Sequence, residues 1–147
     1  MNETEKRKRR VARSGFTLIE LLLVLVILSV LAAVVVPKFT RRSQQARITA
    51  ARTEIAHLEL SLDVFEIDTG RYPTSDEGLT ALLEEPGGVN GWNGPYIDGT
   101  TVPTDPWGGE YVYRYPGQHN TEGYDLHSYG PDGQDGSGDD IDNWSER

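Results

Sequence analysis

The sequence contains no cysteine, which excludes a disulfide framework, a zinc site built on thiolates and a cysteine nucleophile. Its three histidines, His57, His119 and His127, are scattered, and the sequence has no H-E-x-x-H, no G-x-S-x-G and no phosphate-binding glycine loop. Nothing in the chain therefore supports catalysis, and we predict that the protein is not an enzyme.

Basic residues are scarce beyond the N-terminus. The first 15 residues carry a net charge of +4, whereas the remainder holds 8 basic and 21 acidic residues. So acidic a remainder repels nucleic acid, and we predict no nucleic-acid partner. Taken alone, the basic N-terminus is also compatible with a nucleic-acid or nuclear-targeting patch, but a membrane signal follows it directly.

Residues 16 to 36 form an apolar run of 21 residues with a single charge. This length meets the requirement of ~20 residues for a helix that crosses a bilayer. The basic flank before the run and the acidic chain after it place the N-terminus in the cytoplasm and the rest outside. A secretory signal peptide is the alternative, but Ala32-Ala33-Val34 is a poor cleavage site. We therefore predict a single-pass membrane segment.

A second helical segment should follow the apolar run. Pro37 lies between the two segments and should bend the helix, because it lacks the N–H that would bond back one turn. Apolar residues then recur at spacings of three and four, which predicts a helix over residues 38 to 68 that Gly70 ends. The members of this stripe are Ile48, Ala51, Ile55, Leu58, Leu62 and Phe65.

Short elements and turns make up the remainder. Thr74 with Glu77 three residues later is typical of a capping box and predicts a short helix over residues 75 to 84. Strand-forming residues at 110 to 115 and at 123 to 129 flank a Pro-Gly loop, which predicts an antiparallel hairpin. The predicted fold class is α+β, with a long N-terminal helix and a small antiparallel sheet.

Glu20 is the one charge in the apolar run. A carboxylate inside a membrane costs on the order of 2.5 to 3.5 kcal/mol, so it requires a partner or a function. A cut between Gly15 and Phe16 would create an amino terminus about one helical turn from Glu20. That amine could pair with Glu20 of its own chain or of a neighbouring copy. The alternative is that Glu20 lies in the headgroup layer of an uncut anchor.

Residues 13 to 20, RSGFTLIE, resemble the type IV prepilin signature at every position. The resemblance implies that a prepilin peptidase cuts after Gly15 and methylates Phe16, so that residues 1 to 15 are a cleaved basic leader. It also implies that Glu20 and Pro37 serve assembly. These residues would be the substrate of another enzyme.

The remainder is similar to the major pseudopilins of type II secretion, the general secretion pathway protein G family. The similarity rests on Tyr72-Pro73-Thr74, Glu77-Gly78-Leu79, Gly94-Pro95-Tyr96-Ile97 and Asp105-Pro106-Trp107-Gly108. It implies a type IV pilin-like fold, with residues 16 to 36 as the membrane and assembly segment and residues 37 to 147 as a periplasmic head. The function implied is that of a structural subunit, anchored in the inner membrane, whose helical homopolymer helps to drive folded proteins across the outer membrane. Implied partners are further copies, minor pseudopilins, the inner-membrane assembly platform, the peptidase and the exported proteins.

Four carboxylates lie within nine residues near the C-terminus, at Asp132, Asp135, Asp139 and Asp140. Glycines between them let the backbone turn its carbonyls inward, and a set of hard oxygen ligands suits calcium, although the spacing is not that of an EF-hand. A solvated Asp/Gly turn is the alternative. The resemblance implies one calcium ion in a loop over residues 129 to 140. Its ligands would be the side chains of Asp132, Asp139 and Asp140 and the backbone carbonyls of Tyr129, Gln134 and Ser137, with Asp135 pointing outward.

Two other functions stay open. A calcium-dependent binding module on a membrane tether would place ligand contacts on exposed aromatic residues, in the manner of a sugar-binding platform. A membrane-bound hydrolase would use the acidic loop and a divalent metal for turnover. The binding module differs from the filament subunit in having no need of Glu20, and the aromatic rings have a simpler role as core residues.

Overall fold

The computed structural model describes residues 15 to 145, and within them the side chains of residues 34 to 41 are excluded. The predicted leader, apart from Gly15, therefore lies outside the described residues. Contacts divide the chain into two units, with the boundary between Thr40 and Arg41. The first unit holds the N-terminal part of a long helix, and the second holds its C-terminal part together with all the short elements.

Helix α1 is a single element over Leu18–Thr69. The helical segments predicted over residues 16 to 36 and 38 to 68 thus belong to one helix, which is continuous at position 37. The bend at Pro37 stays a prediction, because this side chain lies outside the described set. The helix ends where predicted, since Gly70 adopts a φ of 77° and its N–H bonds to the carbonyl of Glu66 at 2.7 Å.

In the first unit the large apolar side chains are open to solvent, with exposed fractions between 50% for Ile27 and 84% for Phe16. Within the described residues, no helix combines the length and the hydropathy needed to cross a membrane. The last residues of the predicted span, 34 to 36, have side chains outside the description. The membrane-spanning role of residues 16 to 36 therefore stays a prediction.

The predicted apolar stripe of α1 is confirmed as the centre of the core. Its five main members, which we call the core stripe, are at most 3% exposed: Ala51, Ile55, Leu58, Leu62 and Phe65. They belong to one cluster with Leu82, Leu126 and Ile141 from the short elements. Burial contributes about 1.5 to 3 kcal/mol for each large side chain, so this stripe is what holds the helix to the head.

The short helix predicted over residues 75 to 84 is corrected to a 3-10 helix over Gly78–Leu82. The capping box itself forms, with the Thr74 N–H donating to Glu77 at 2.8 Å and the Glu77 N–H donating to the Thr74 hydroxyl at 3.3 Å. Gly78 then adopts a φ of 57°, which an α-helix does not accommodate. The turn opened by the capping box therefore continues only as a short 3-10 segment.

The predicted hairpin is confirmed, with shorter strands. Strand β1 covers Val112–Arg114 and pairs antiparallel with β2, Asp125–Ser128, so that Tyr113 faces Leu126. A third strand, β3 at Ile141–Asp142, pairs with the other edge of β2 and was not predicted. Two residues are too few to show the alternation by which a strand is recognised.

The aromatic side chains of the head pack inward, as a core role requires. Tyr111 and Tyr124 are buried, and Trp92 and Tyr96 meet edge to face with ring centroids 5.7 Å apart. Polar atoms on these rings are used to fasten loops: the Trp92 indole N–H donates to the carbonyl of Ala81 at 2.9 Å. The aromatic rings of the head thus lie in the core or pack against it, which is the simpler role expected of them.

One ion pair gives the head a defined acid sensitivity. Arg71 donates to both carboxylate oxygens of Glu77 at 2.7 Å, and this bond lowers the pKa of Glu77 from 4.5 to about 2. A carboxylate with a lowered folded-state pKa contributes stability above its unfolded pKa, and that stability is lost as pH falls through the folded value. We expect the melting temperature of residues 41 to 147 to fall between about pH 4.5 and pH 2.

The matched variant is Glu77→Gln, which keeps the shape but not the charge. Because Glu77 is partly exposed, the expected loss at pH 7 is modest, about 1 kcal/mol. The melting curve, followed by circular dichroism at constant ionic strength, should have a shallower acid limb in the variant. An acid limb as steep as in the unmodified head would contradict this role for the pair.

Candidate functional site

The first candidate site is the start of α1. The Thr17 N–H donates to Glu20 Oε2 at 2.8 Å, the Thr17 hydroxyl donates to the same oxygen at 3.0 Å, and the Glu20 N–H donates back to that hydroxyl at 3.3 Å. This is a capping box with the same T-x-x-E spacing as Thr74 and Glu77. It turns the Glu20 carboxylate back toward the N-terminal end of the helix.

This geometry bears directly on the predicted cleavage point. Gly15 and Phe16 are exposed and precede the first residue of the helix, so the bond between them lies in non-helical, accessible chain. The carboxylate of Glu20 is bonded at Thr17, the residue next to Phe16. Sequence reasoning identified Glu20 as an acid that needs a cation but missed Thr17, although the T-x-x-E spacing is visible in the sequence.

The second candidate site is the acidic loop, residues 129 to 140. Its N-terminal end is joined to the core by a series of buried hydrogen bonds. The Ser128 hydroxyl donates to Asp105 Oδ2 at 2.5 Å and accepts the Gly130 N–H at 3.1 Å. Asp105 in turn accepts the N–H groups of Trp107 at 3.0 Å and Gly109 at 2.7 Å. The turn over residues 105 to 109 thus holds the start of the loop through two buried side chains.

The far end of the loop is held by strand β3 and by Asn143. The Asn143 amide donates to Glu59 at 3.2 Å and to the carbonyl of Tyr124 at 3.3 Å, while its oxygen accepts from the Leu126 N–H at 3.0 Å and from Asn120 at 3.3 Å. Asn143 is 9% exposed. One buried side chain therefore joins the end of the loop to α1, to β2 and to the hairpin loop.

The two ends of the loop also touch each other. Gly130 adopts a φ of 68°, and a side-chain carbon at this position would overlap the backbone carbonyl oxygen of Asp139. Glycine is required here on both counts. The two ends of the loop therefore lie side by side, both next to strand β2.

Inside the loop the predicted ligands are partly brought together. The Ser137 hydroxyl bridges the carboxylates of Asp132 and Asp139, and the Gly136 N–H donates to Asp140 Oδ2 at 2.8 Å. The second oxygen, Asp140 Oδ1, is buried and without a hydrogen-bond partner. No group of three or more His, Asp or Glu side chains with metal-binding geometry occurs among the described residues.

Asp135 has a largely exposed side chain, 76% open to solvent, which agrees with the expectation that it points outward. Its Oδ1 lies 3.8 Å from Nε2 of His127, a residue that the sequence did not connect with the loop. The His127 ring contacts Trp144 edge to face, and the His119 ring stacks on the same indole with ring centroids 4.2 Å apart. These three side chains form an aromatic cluster beside the loop. Sequence reasoning missed this cluster because its members are far apart in the chain.

Comparisons with known proteins match nearly the whole chain. The family described as type II secretion system (T2SS), protein G matches residues 38 to 144, and the prokaryotic N-terminal methylation motif matches residues 10 to 36. Type II secretion system core protein G of Pseudomonas aeruginosa is 43% identical over 145 residues, covering 92% of this chain and 98% of that protein. The core protein G of Escherichia coli K12 is 40% identical over 148 residues, covering 98% of this chain and 95% of that protein.

Among solved structures, the chain is similar to the major pseudopilin of the type 2 secretion system of enterohaemorrhagic Escherichia coli. The TM-score is 0.61 at 36% sequence identity, and the match covers 70% of this chain and 87% of that one. The predicted fold class, α+β and pilin-like with a long N-terminal helix and a small antiparallel sheet, is therefore confirmed.

Proposed function

This chain belongs to the type II secretion system protein G family, and we propose that it works as a prepilin that is cut after Gly15 and polymerises through its N-terminal helix. As the family implies, it is a major pseudopilin, the structural subunit of a membrane-anchored pseudopilus. We take the chain to have no catalytic activity of its own. The observation that carries the proposal is the Glu20 carboxylate, turned back to the N–H and hydroxyl of Thr17, the residue that follows Phe16.

Cleavage changes the electrostatics at this end of the helix. In the uncut chain Glu20 is bonded only to the N–H and hydroxyl of Thr17 among the described residues. After cleavage, the amine of Phe16 becomes a cation one residue away from Thr17. A neighbouring copy can bring such an amine to Glu20, and this pairing offsets the cost of a carboxylate in an apolar environment. When the amine pairs with Glu20 of a neighbouring copy rather than of its own chain, assembly neutralises a carboxylate that the solitary subunit leaves without a cation.

The apolar surface of the first unit supports the same function. Side chains from Phe16 to Leu31 are exposed on every face of the helix, so lipid or other helices must cover them. We propose that the N-terminus lies in the cytoplasm, that residues 16 to 36 cross the inner membrane before assembly, and that the head is periplasmic. The proposed partners are further copies, minor pseudopilins, the inner-membrane assembly platform, the prepilin peptidase and exported proteins.

Mass spectrometry of the mature chain tests this function. With the full-length chain produced alongside a prepilin peptidase and the assembly platform, we expect sheared filaments whose subunits begin at N-methylated Phe16. A Gly15→Val variant should keep its leader and stay in the membrane fraction without forming filaments. A mature chain that still begins at Met1, or that is recovered as a solitary soluble monomer, would contradict the proposal.

We also propose that the acidic loop binds one calcium ion. The buried, unpartnered Asp140 Oδ1 and the carboxylates of Asp132 and Asp139, held together by the Ser137 hydroxyl, supply hard oxygen donors of the kind that calcium prefers. Backbone carbonyls of Tyr129, Gln134 and Ser137 would complete the set. A bound cation would neutralise the mutual repulsion of these carboxylates and fasten the loop to β2 and β3.

A further inference from the structure

Helix α1 carries a second stripe on the face opposite to its core stripe. We call it the outer stripe, and its spacings of three and four residues keep it on one face of the helix. All seven members are exposed: Ala46, Thr49, Thr53, Ala56, Leu60, Val64 and Ile67. The three largest, at its C-terminal end, are 63%, 46% and 78% exposed. A water-facing helix surface normally carries charge, and this one carries none over 22 residues.

The polar atoms on the outer stripe are already satisfied within the helix. The Thr49 hydroxyl donates to the carbonyl of Gln45 at 3.0 Å, and the Thr53 hydroxyl donates to the carbonyl of Thr49 at 2.9 Å. Removing water from this face therefore leaves no donor without a partner. The usual penalty for burying a hydroxyl, about 1 to 3 kcal/mol, is avoided.

Size and charge are both graded along this part of the helix. The first four members of the outer stripe are small and the last three are large. In parallel, residues 38 to 52 contain five basic and no acidic residues, whereas residues 54 to 68 contain five acidic and no Lys or Arg. Acidic residues near a C-terminus and basic residues before them oppose the helix macrodipole. The stability of the single helix therefore does not explain the pattern.

We infer that the outer stripe is a contact between neighbouring copies of this chain, with the two helices parallel and displaced along their axes by 11 residues, about 16 Å. This shift places Leu60, Val64 and Ile67 of one copy over Thr49, Thr53 and Ala56 of the next, respectively, so that large side chains meet small ones. The same shift lays residues 54 to 68 of one copy, with their five acidic residues, along residues 43 to 57 of the next, where Arg47 and Arg52 lie, and it brings Asp63 level with Arg52. The inference rests on the proposed function, in which all copies point the same way.

The absence of cysteine makes the register directly testable. Two forms of the full-length chain, Thr53→Cys and Val64→Cys, are produced together and assembled, and the filaments are oxidised. A disulfide requires Cα atoms within about 7 Å, so it reports which positions are neighbours. We expect at least tenfold more disulfide dimer from the mixture than from either form alone.

Each outcome has a separate meaning. Dimer that forms as readily from Val64→Cys alone indicates unshifted packing and overturns the register, and filaments without any dimer overturn the contact itself while leaving the proposed function intact. If the unmodified chain forms no filaments, the proposed function fails. As a second measurement, Val64→Asp should reduce filament yield at least tenfold with an unchanged melting temperature of the head, whereas Thr80→Asp, an exposed position elsewhere, should assemble normally. Normal assembly of Val64→Asp overturns the contact.

Discussion

Replacing Glu20 with leucine is expected to abolish pseudopilus assembly while leaving cleavage after Gly15 and membrane insertion intact. The substitution removes the carboxylate that a neighbouring N-terminal amine would pair with, and it makes the apolar run more hydrophobic, which favours insertion. We expect the yield of sheared filaments to fall at least tenfold at an unchanged level of processed chain. Immunoblotting of membrane and sheared fractions measures both quantities.

Two matched variants separate charge pairing from the helix cap. Glu20→Gln retains an oxygen that can accept from Thr17 but carries no charge, so it should assemble as poorly as Glu20→Leu. Ser29→Ala alters another polar residue in the same run, one whose hydroxyl already donates to the carbonyl of Leu25 at 2.7 Å, and it should assemble normally. Filaments of ordinary abundance from the glutamine variant would show that the charge is not what assembly requires.

Chelation of calcium is expected to lower the melting temperature of the head by about 10 °C or more. A ligand present at about 100 times its dissociation constant stabilises the folded state by about 2.7 kcal/mol. In a domain of about 100 residues, each kcal/mol shifts the melting temperature by about 4 to 8 °C. Thermal melts of residues 41 to 147 in calcium and in excess chelator measure the difference.

The loop offers its own controls for this experiment. Asp140→Asn and Asp132→Asn should remove the calcium response, because each replaces a proposed ligand with a neutral amide. Asp135→Asn should keep it, because that side chain is exposed and faces His127. An unchanged melt in chelator would retire the calcium site, and a response lost equally in the Asp135 variant would assign the ion to another set of ligands.

Periodic features were predictable from the sequence because they repeat. The stripe from Ala51 to Phe65 predicts a helix and its buried face through spacing alone, and the strand at residues 125 to 128 lies within the longer stretch, 123 to 129, that was predicted as a strand. The T-x-x-E pair at Thr74 was equally visible and is formed. The predicted length of the helix after this pair was wrong. Gly78 has a positive φ, so only a short 3-10 helix over Gly78–Leu82 forms.

The anchors of the acidic loop could not be predicted, for a physical reason. Asp105 and Ser128 are 23 residues apart, and Glu59 and Asn143 are 84 residues apart. Each pair exists only because the folded chain brings the two side chains together in the core. A single buried Asn or Ser is not part of any repeating pattern in the sequence. From the sequence alone it therefore cannot be told apart from an exposed Asn or Ser in a turn.

The hydrogen bond between Asn143 and Glu59 joins residues that are 84 positions apart in the chain, which bears on folding during synthesis. The bonds of Asn143 to Glu59 and to Tyr124 cannot form until the ribosome has passed Asn143, and until then the core also lacks Ile141. A nascent subunit that has not yet reached Asn143 therefore has an incomplete core and is at risk of aggregation. A truncation that removes Asn143 keeps every earlier residue in the sequence. We nevertheless expect the truncated chain to be retained by chaperones and degraded by proteases.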